Sequence, residues 1–227
     1  MTAAKVRRPR AKKTAGSDDS AKKRAVVEAA LPLVPSGGFT DKVLKEAAAA
    51  ADVSPAVLAR LFPHGPQSLA EAFSDWADDE MEKRLSKSKL GEMKIRARIR
   101  AAIEARIAAL RPHKEAARRA GAFLTLPPNA ATAAKLLYRT VDRMWRAAGD
   151  TSTDFNFYTK RAILAGVYSS TMLRWFTDDR EDEKSTFDFL DARIENVMQF
   201  EKFKAKAREA LSNFPAFAAW ATPKPGK

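Results

Sequence analysis

The chain has 227 residues, of which 45% are hydrophobic and 30% charged, with a formal net charge of +13. It has no cysteine, which excludes disulfides, thiolate metal sites and cysteine nucleophiles. No apolar run approaches the roughly 18 residues needed to cross a bilayer, and no secretory h-region follows Met1, so a soluble, intracellular, globular protein is expected.

The charge is unevenly placed. Residues 1–24 carry +7 and residues 201–227 carry +4, leaving +2 for everything between. Basic ends of this kind point to contact with an anionic surface, membrane or nucleic acid, rather than to a basic folded domain.

Residues 1–19 hold Lys5, Arg7, Arg8, Arg10, Lys12 and Lys13 with almost nothing apolar, which reads as a disordered basic arm. A mitochondrial presequence is the other reading, but the cluster lacks an apolar stripe. A helix is expected from Ser20 to about Val34 with Val26, Val27, Ala30 and Leu31 inward, kinked or ended early by Pro32. Phe39 follows a Pro-Ser-Gly-Gly turn and should plug the core. A second helix covers 41–51. Ser54 suits an N-cap and Pro55 the first position of a third helix, 55–62, and a fourth begins near Gln67. The fourth helix carries Asp75, Asp78, Asp79, Glu80 and Glu82, an acidic surface that would repel phosphates. Residues 83–91 read as a basic hinge.

The next helix, 92–110, places Ile95, Ile99, Ile103, Ile107 and Leu110 on one stripe, and Pro112 stops it. A shorter helix covers 113–124, and another runs from Pro127 to Ala148. Gly149 supplies a C-terminal stop, and Thr151 with Asp154 fits a capping box for a helix over 154–176 that is apolar on more than one side. After the acidic loop 178–183, Ser185 or Thr186 would cap a helix from 187 to 200. An amphipathic segment over 201–221 places Phe203, Leu211, Phe214 and Phe217 on one face. Lys204 and Lys206 flank that face and Trp220 sits at its edge, a pattern suited to lying on an anionic membrane. No period-two alternation is sustained, so no sheet is expected.

The junction between the two most apolar helices is unusual. Its hydroxyls and acids sit beside Trp145, Phe155, Phe157 and Tyr158. The aromatics either fill the core of a well-capped turn or form an exposed anchor for a partner. Catalytic chemistry has little to stand on. His64 and His113 both lie beside prolines at helix ends, where cap or surface roles are the default. There is no Glu-x-x-His pair for a di-iron centre, and no zincin, dinucleotide or P-loop motif. No catalytic residue, metal or cofactor is assigned, and a non-enzyme is expected.

Helix, short turn, helix over 41–62 outlines a helix-turn-helix. Ala29 to Leu31, Gly38-Phe39, Leu44, Ala47 to Ala51, Val53-Ser54, Leu61 to Pro63 and Leu69 resemble the N-terminal pattern of TetR-type regulators. The third helix departs from that pattern, because Arg60 is its only long polar side chain, whereas base readout needs bidentate donors and phosphate binding needs several cations. Further motifs narrow the resemblance: Leu61-Phe62-Pro63-x-Gly65, Leu126-Pro127-x-Asn129, the long Ala148 to Arg161 stretch, Val167-Tyr168-Ser-x-Thr171 and Phe189-Leu190-x-x-Arg193-Ile194. In this order, over about 25–200, they closely resemble the accessory lipid-binding proteins of ubiquinone biosynthesis.

That resemblance implies an all-α, TetR-regulator-like bundle of about nine or ten helices: an HTH-like head over 20–89, a ligand and dimerisation domain over 90–200, and the amphipathic segment and tail beyond. It implies a homodimer that binds an isoprenoid lipid or quinone intermediate, with Phe123, Leu137, Leu164, Tyr168 and Met172 as candidate lipid contacts. It also implies presentation of that intermediate to the di-iron demethoxyubiquinone hydroxylase through Asp142, Met144, Trp145, Phe157 and Tyr158. The family commonly carries Trp where this chain has Phe157, which keeps a ring and removes an N–H donor. Peripheral attachment to the cytoplasmic face of a bacterial inner membrane, or the matrix side in a eukaryote, follows, and no specific DNA binding is expected. The alternative is a TetR-type ligand-responsive repressor, which would need a basic, hydrogen-bonding third helix.

Overall fold

Pro32 does end the first helix, and the same logic of stops and caps divides the rest of the chain. The computed structural model describes residues 11–151 and 155–212. Among them are ten α-helical segments and no strand: α1 (Ala11–Ala30), α2 (Val34–Gly37), α3 (Asp41–Ala50), α4 (Pro55–Leu61), α5 (Pro66–Leu85), α6 (Ile95–Leu110), α7 (Lys114–Leu124), α8 (Ala130–Ala147), α9 (Phe155–Phe176) and α10 (Lys184–Ser212). They form two compact units, residues 1–153 and 154–227.

Several boundaries differ from the sequence expectation for identifiable reasons. Helix α1 starts at Ala11, ahead of the expected Ser20, and Asp18 pairs with Lys22 one turn on at 2.7 Å. Residues 11–19 are therefore helical rather than an irregular arm. Thr40 caps α3 by accepting from the Val43 N–H, whereas the Ser54 side chain makes no capping bond to α4. The expected helix over 187–200 and the amphipathic segment after it are one helix, α10, through Ser212. The proposed Thr151–Asp154 capping box cannot be followed, since Asp154 lies outside the described residues.

In the first unit, α5 packs against α6 and α8, and α1 against α3 and α5. A chain of rings runs through the core. Phe39 stacks on Phe123 at 5.6 Å and meets Phe73 at 6.2 Å, Phe73 stacks on Trp76 at 6.0 Å, and His113 meets Trp76 edge-on at 5.6 Å. Phe39 thus plugs the core as its position implied. His113 packs against an indole instead of capping a helix, and burial lowers its pKa. Along α6, Ile99, Ile103, Ile107 and Leu110 are buried, while Ile95 in the first turn stays exposed.

The acids of α5 do not form the free anionic surface the sequence suggested. Glu71, Asp75 and Asp79 recur every fourth residue and meet Lys135, Arg139 and Arg143, which recur every fourth residue on α8. Because both series rise together, the two helices run in the same direction with a fixed register. Asp78 is fully inside. It accepts from Arg106 Nε of α6 at 2.7 Å and from the Thr140 hydroxyl of α8 at 3.0 Å, and Arg106 also donates to Ser74 Oγ at 3.2 Å. One buried ion pair therefore ties three helices together.

In the second unit, α9 and α10 pack on each other. Their connecting loop is solvated in its middle, where Asp179, Glu181 and Asp182 are exposed, but its end acids are buried. Trp175 donates its indole N–H to Glu183 at 2.8 Å, and both are buried. Asp178 is buried and accepts from the Thr186 backbone N–H at 3.0 Å, the Thr186 hydroxyl at 2.8 Å and the Ser185 hydroxyl. Asp182 accepts from the Lys184 N–H at 2.9 Å. The first turn of α10 is thus capped by preceding aspartates, not by Ser185 or Thr186 as expected.

These bonds, first that from Ser185, hold the Asp178 carboxyl well below the usual carboxylate range. A carboxyl whose folded-state pKa is depressed stabilises the fold above its unfolded value, near 4, and that stability is lost as pH falls toward the folded value. Asp178→Asn is therefore expected to lower the melting temperature at pH 7, with a gap from the parent that narrows below about pH 4. Thermal melts across pH 2–7, approximate limits chosen to bracket that window, check this; a gap independent of pH would contradict it.

Candidate lipid and partner surfaces

The end of α8 is built by Gly149. Its φ of +86° turns the chain, its N–H donates to the Arg146 carbonyl at 2.9 Å, and the Asp150 N–H donates to the Trp145 carbonyl at 3.0 Å. This is a Schellman closure, and glycine supplies it without a Cβ clash.

The turn sets the exposure of the three partner candidates on α8. Asp142 is half-buried and accepts from Arg146 Nε at 2.7 Å, Trp145 is half-buried, and Met144 is fully buried. Met144 therefore packs inside this chain, so a part for it at a partner surface is one of supporting its exposed neighbours. In α9, Phe157 and Tyr158 meet edge-on at 5.2 Å. Arg161 lies over the Phe157 ring at 3.3 Å from its centroid and donates to the Phe157 carbonyl at 3.1 Å. That cation fixes the Phe157 ring. Tyr158 is left 67% exposed, the exposure an anchor residue needs.

Of the candidate lipid contacts, Leu164, Tyr168 and Met172 recur every fourth residue along α9 and are all buried, as one apolar face. Phe123 is part of the ring chain of the first unit and Leu137 is half-buried on α8. Of the membrane candidates, Phe203, Lys204, Lys206 and Leu211 fall within α10, and the Lys206 side chain is exposed. Phe214, Phe217 and Trp220 lie outside the described residues. No described helix is long and apolar enough to cross a membrane.

A second surface runs along α9. Tyr158, Ala162, Gly166 and Leu173 are exposed at helical spacing, with Ser169 and Ser170 half-exposed between them. Leu173 is 68% exposed, and an added Cβ at Gly166 would meet nothing within 4 Å. A glycine inside a helix costs roughly 0.5–1 kcal/mol relative to alanine, and no described neighbour requires this one.

The face on which a regulator would read DNA is poorly equipped. On α4, Arg60 is drawn into a two-pronged ion pair with Asp19 of α1, one arm at 2.8 Å. The groove between α3 and α4, about 570 Å³, is lined mostly by apolar side chains, among them Leu44, Val53, Leu58 and Phe62, with Lys45 its one cation beside the Asp41 carboxylate. Base edges and phosphates call for several donors and cations, of which this groove offers Lys45 alone.

The family model COQ9 matches residues 130–201. The chain carries a COQ9 domain. It is 35% identical over 179 residues to the rat ubiquinone biosynthesis protein COQ9, mitochondrial, an alignment covering 76% of this chain and 57% of that one. It is 34% identical over 180 residues to the human protein of the same name, covering 76% and 56%. The chain thus spans somewhat more than half the length of these COQ9 relatives. Among solved structures, a TetR transcriptional regulator from Nitrosomonas europaea superposes with a TM-score of 0.61 at 20% identity, covering 78% of this chain and 98% of the regulator. The fold is that of a TetR regulator. The COQ9 domain contains Leu137, Asp142, Met144, Trp145, Phe157, Tyr158, Leu164, Tyr168 and Met172. Phe123 precedes it, and the membrane candidates from Phe203 follow it.

Proposed function

We propose that the chain is a non-catalytic accessory protein of ubiquinone biosynthesis. It binds an isoprenoid quinone intermediate and presents it to the di-iron demethoxyubiquinone hydroxylase at an anionic membrane face. The observation that carries this reading is the kinship to COQ9 proteins over three quarters of the chain. The buried Leu164, Tyr168 and Met172 face supports an apolar ligand, and the exposed Tyr158 supports a protein partner. The relatives are mitochondrial proteins, so the attachment is to the matrix side of the inner membrane or its bacterial equivalent. The repressor alternative is disfavoured by α4, whose one long cation is paired with Asp19. Expression in cells lacking their own COQ9 relative tests the role: ubiquinone is expected to return, and repressor-type binding to a defined DNA site by the described residues would contradict it.

The same reading includes a homodimer built on the exposed α9 stripe, where Gly166 admits close approach of a second helix. The protein is expected to scatter as a dimer at tens of micromolar, a rough concentration at which a standard-sized interface holds. Gly166→Leu is expected to shift it to monomer without lowering its melting temperature, since helix propensity improves. A parent monomer, or an unaltered dimer in the variant, would contradict the interface.

A further inference from the structure

The link between α5 and α6 stands away from the packed core of the first unit. Of residues 86–96, all but Leu90 are exposed. Six large hydrophobic side chains are exposed among the described residues, and two of them, Met93 at 38% and Ile95 at 48%, sit two positions apart here. Single exposed apolar side chains are ordinary and need no cause. A neighbouring pair on one loop asks for one.

The loop is also held in shape. Arg98 donates from Nε to the Met93 carbonyl at 2.8 Å, from Nη2 to the Gly91 carbonyl at 3.1 Å, and from Nη1 to the Ala148 carbonyl at the end of α8 at 3.0 Å. One guanidinium thus ties the loop to a neighbouring helix end, so little ordering cost remains when Met93 and Ile95 meet a partner. Its partners are neutral carbonyls, and no carboxylate pairs with it among the described residues.

The charge around the apolar pair has one sign. Lys87, Lys89, Lys94 and Arg96 stand against a single carboxylate, Glu92. Glu92 reaches Lys89 at 3.9 Å with both side chains open to water, and a pair so exposed is weak. Lys87, Lys94 and Arg96 make no ion pair among the described residues, and no acid stands in the first turn of α6. Met93-Lys94-Ile95-Arg96 therefore alternates apolar and cationic side chains, all exposed. Such a set suits the boundary of an anionic bilayer, where apolar tips sink and long cationic stems reach up to headgroup phosphates. Residues 86–96 offer no ring on which a base could stack. Their free cations are fixed by no bond, which fits a fluid array of headgroups better than the set carboxylates of a protein.

We propose that the α5–α6 loop is a membrane contact of the first unit, with Met93 and Ile95 entering the interface of an anionic bilayer while Lys87, Lys94 and Arg96 hold its headgroups. The proposal rests on the membrane attachment in the proposed function and adds to it a site distinct from the amphipathic segment at the end of the chain.

The chain has no cysteine, so Met93→Cys accepts a single polarity-sensitive fluorophore in the full chain. Lys42→Cys on α3, with a side chain 83% exposed, carries the control label. On vesicles of phosphatidylcholine and phosphatidylserine bearing an acyl-chain nitroxide, the label at residue 93 is expected to be quenched and that at 42 to stay bright. In co-sedimentation of unlabelled protein, Met93→Ser with Ile95→Ser, and Lys94→Glu with Arg96→Glu, are each expected to weaken binding about tenfold. Lys42→Glu with Lys45→Glu, an equal change of charge, is expected to leave it as it was. All three pairs are expected to melt with the parent, because these side chains are exposed. A parent that fails to sediment with such vesicles overturns the membrane attachment and this contact together. A parent that sediments while the label at 93 stays bright, or while either loop pair binds as tightly as the parent, overturns the loop contact alone and leaves its cations for an acidic protein. Equal weakening by the α3 pair and the Lys94–Arg96 pair also overturns it, leaving only general attraction of a basic protein to an anionic surface.

Discussion

Asp78→Ala is expected to lower the stability of the first unit by about 3–5 kcal/mol, the usual cost of leaving one member of a buried ion pair unpaired. Asp78 is 1% exposed and Arg106 5%, so water cannot replace the lost carboxylate. The Arg106 guanidinium would lose a buried carboxylate 2.7 Å away, and the Thr140 hydroxyl would lose its acceptor. For a chain of this size each kcal/mol moves the melting temperature by about 2–4 °C, so a drop on the order of 10 °C is expected by calorimetry. Replacing the whole cluster with Asp78→Leu, Arg106→Met and Thr140→Val is expected to recover most of the loss, because apolar groups of similar volume remove the desolvation penalty along with the attraction. A single variant that melts within about 1 kcal/mol of the parent would mean that the pair is hydrated in solution.

Tyr158→Ala is expected to weaken association with the hydroxylase by at least about 30-fold, the effect of losing an anchor worth about 2 kcal/mol. With 67% of its surface exposed, Tyr158 contributes little to the fold, and its removal should change stability by no more than about 0.5 kcal/mol. Trp145→Ala is a less clean probe, since that ring is half-buried and its loss costs packing as well as contact. Titration calorimetry against the hydroxylase, paired with melting curves, separates the two effects. Unchanged affinity with intact stability would remove Tyr158 from the partner surface.

Much of the fold is written in stops and periods. Pro32, Pro112 and Gly149 end helices where their backbone chemistry requires it, and the isoleucines of α6 repeat with the turn they bury. What the sequence concealed was pairing between distant segments. Asp75, Asp78 and Asp79 look alike in a solvated run, yet one is sealed in the core and two lock a register with α8. The matching four-residue spacing of Glu71, Asp75 and Asp79 with Lys135, Arg139 and Arg143 was present to be read, but nothing local says which two helices meet. Asp178 and Glu183 were obscured in the same way, because an acidic loop reads as solvent-facing until its hydroxyl and indole donors are placed. For the candidate site, the resemblance singled out Leu164, Tyr168 and Met172, and the structure buries them together on one face of α9. Burial of Met144 beside the half-buried Trp145 was not legible either, because neighbouring residues of a helix face different sides.

The proposed role requires this chain to carry an isoprenoid quinone intermediate. Mass spectrometry of lipid released from the protein purified without detergent tests it most directly. A polyprenylated quinone or phenol near equimolar with the protein, enriched over its share of the cell membrane, is expected. Bulk phospholipid alone, or no lipid at all, would contradict it.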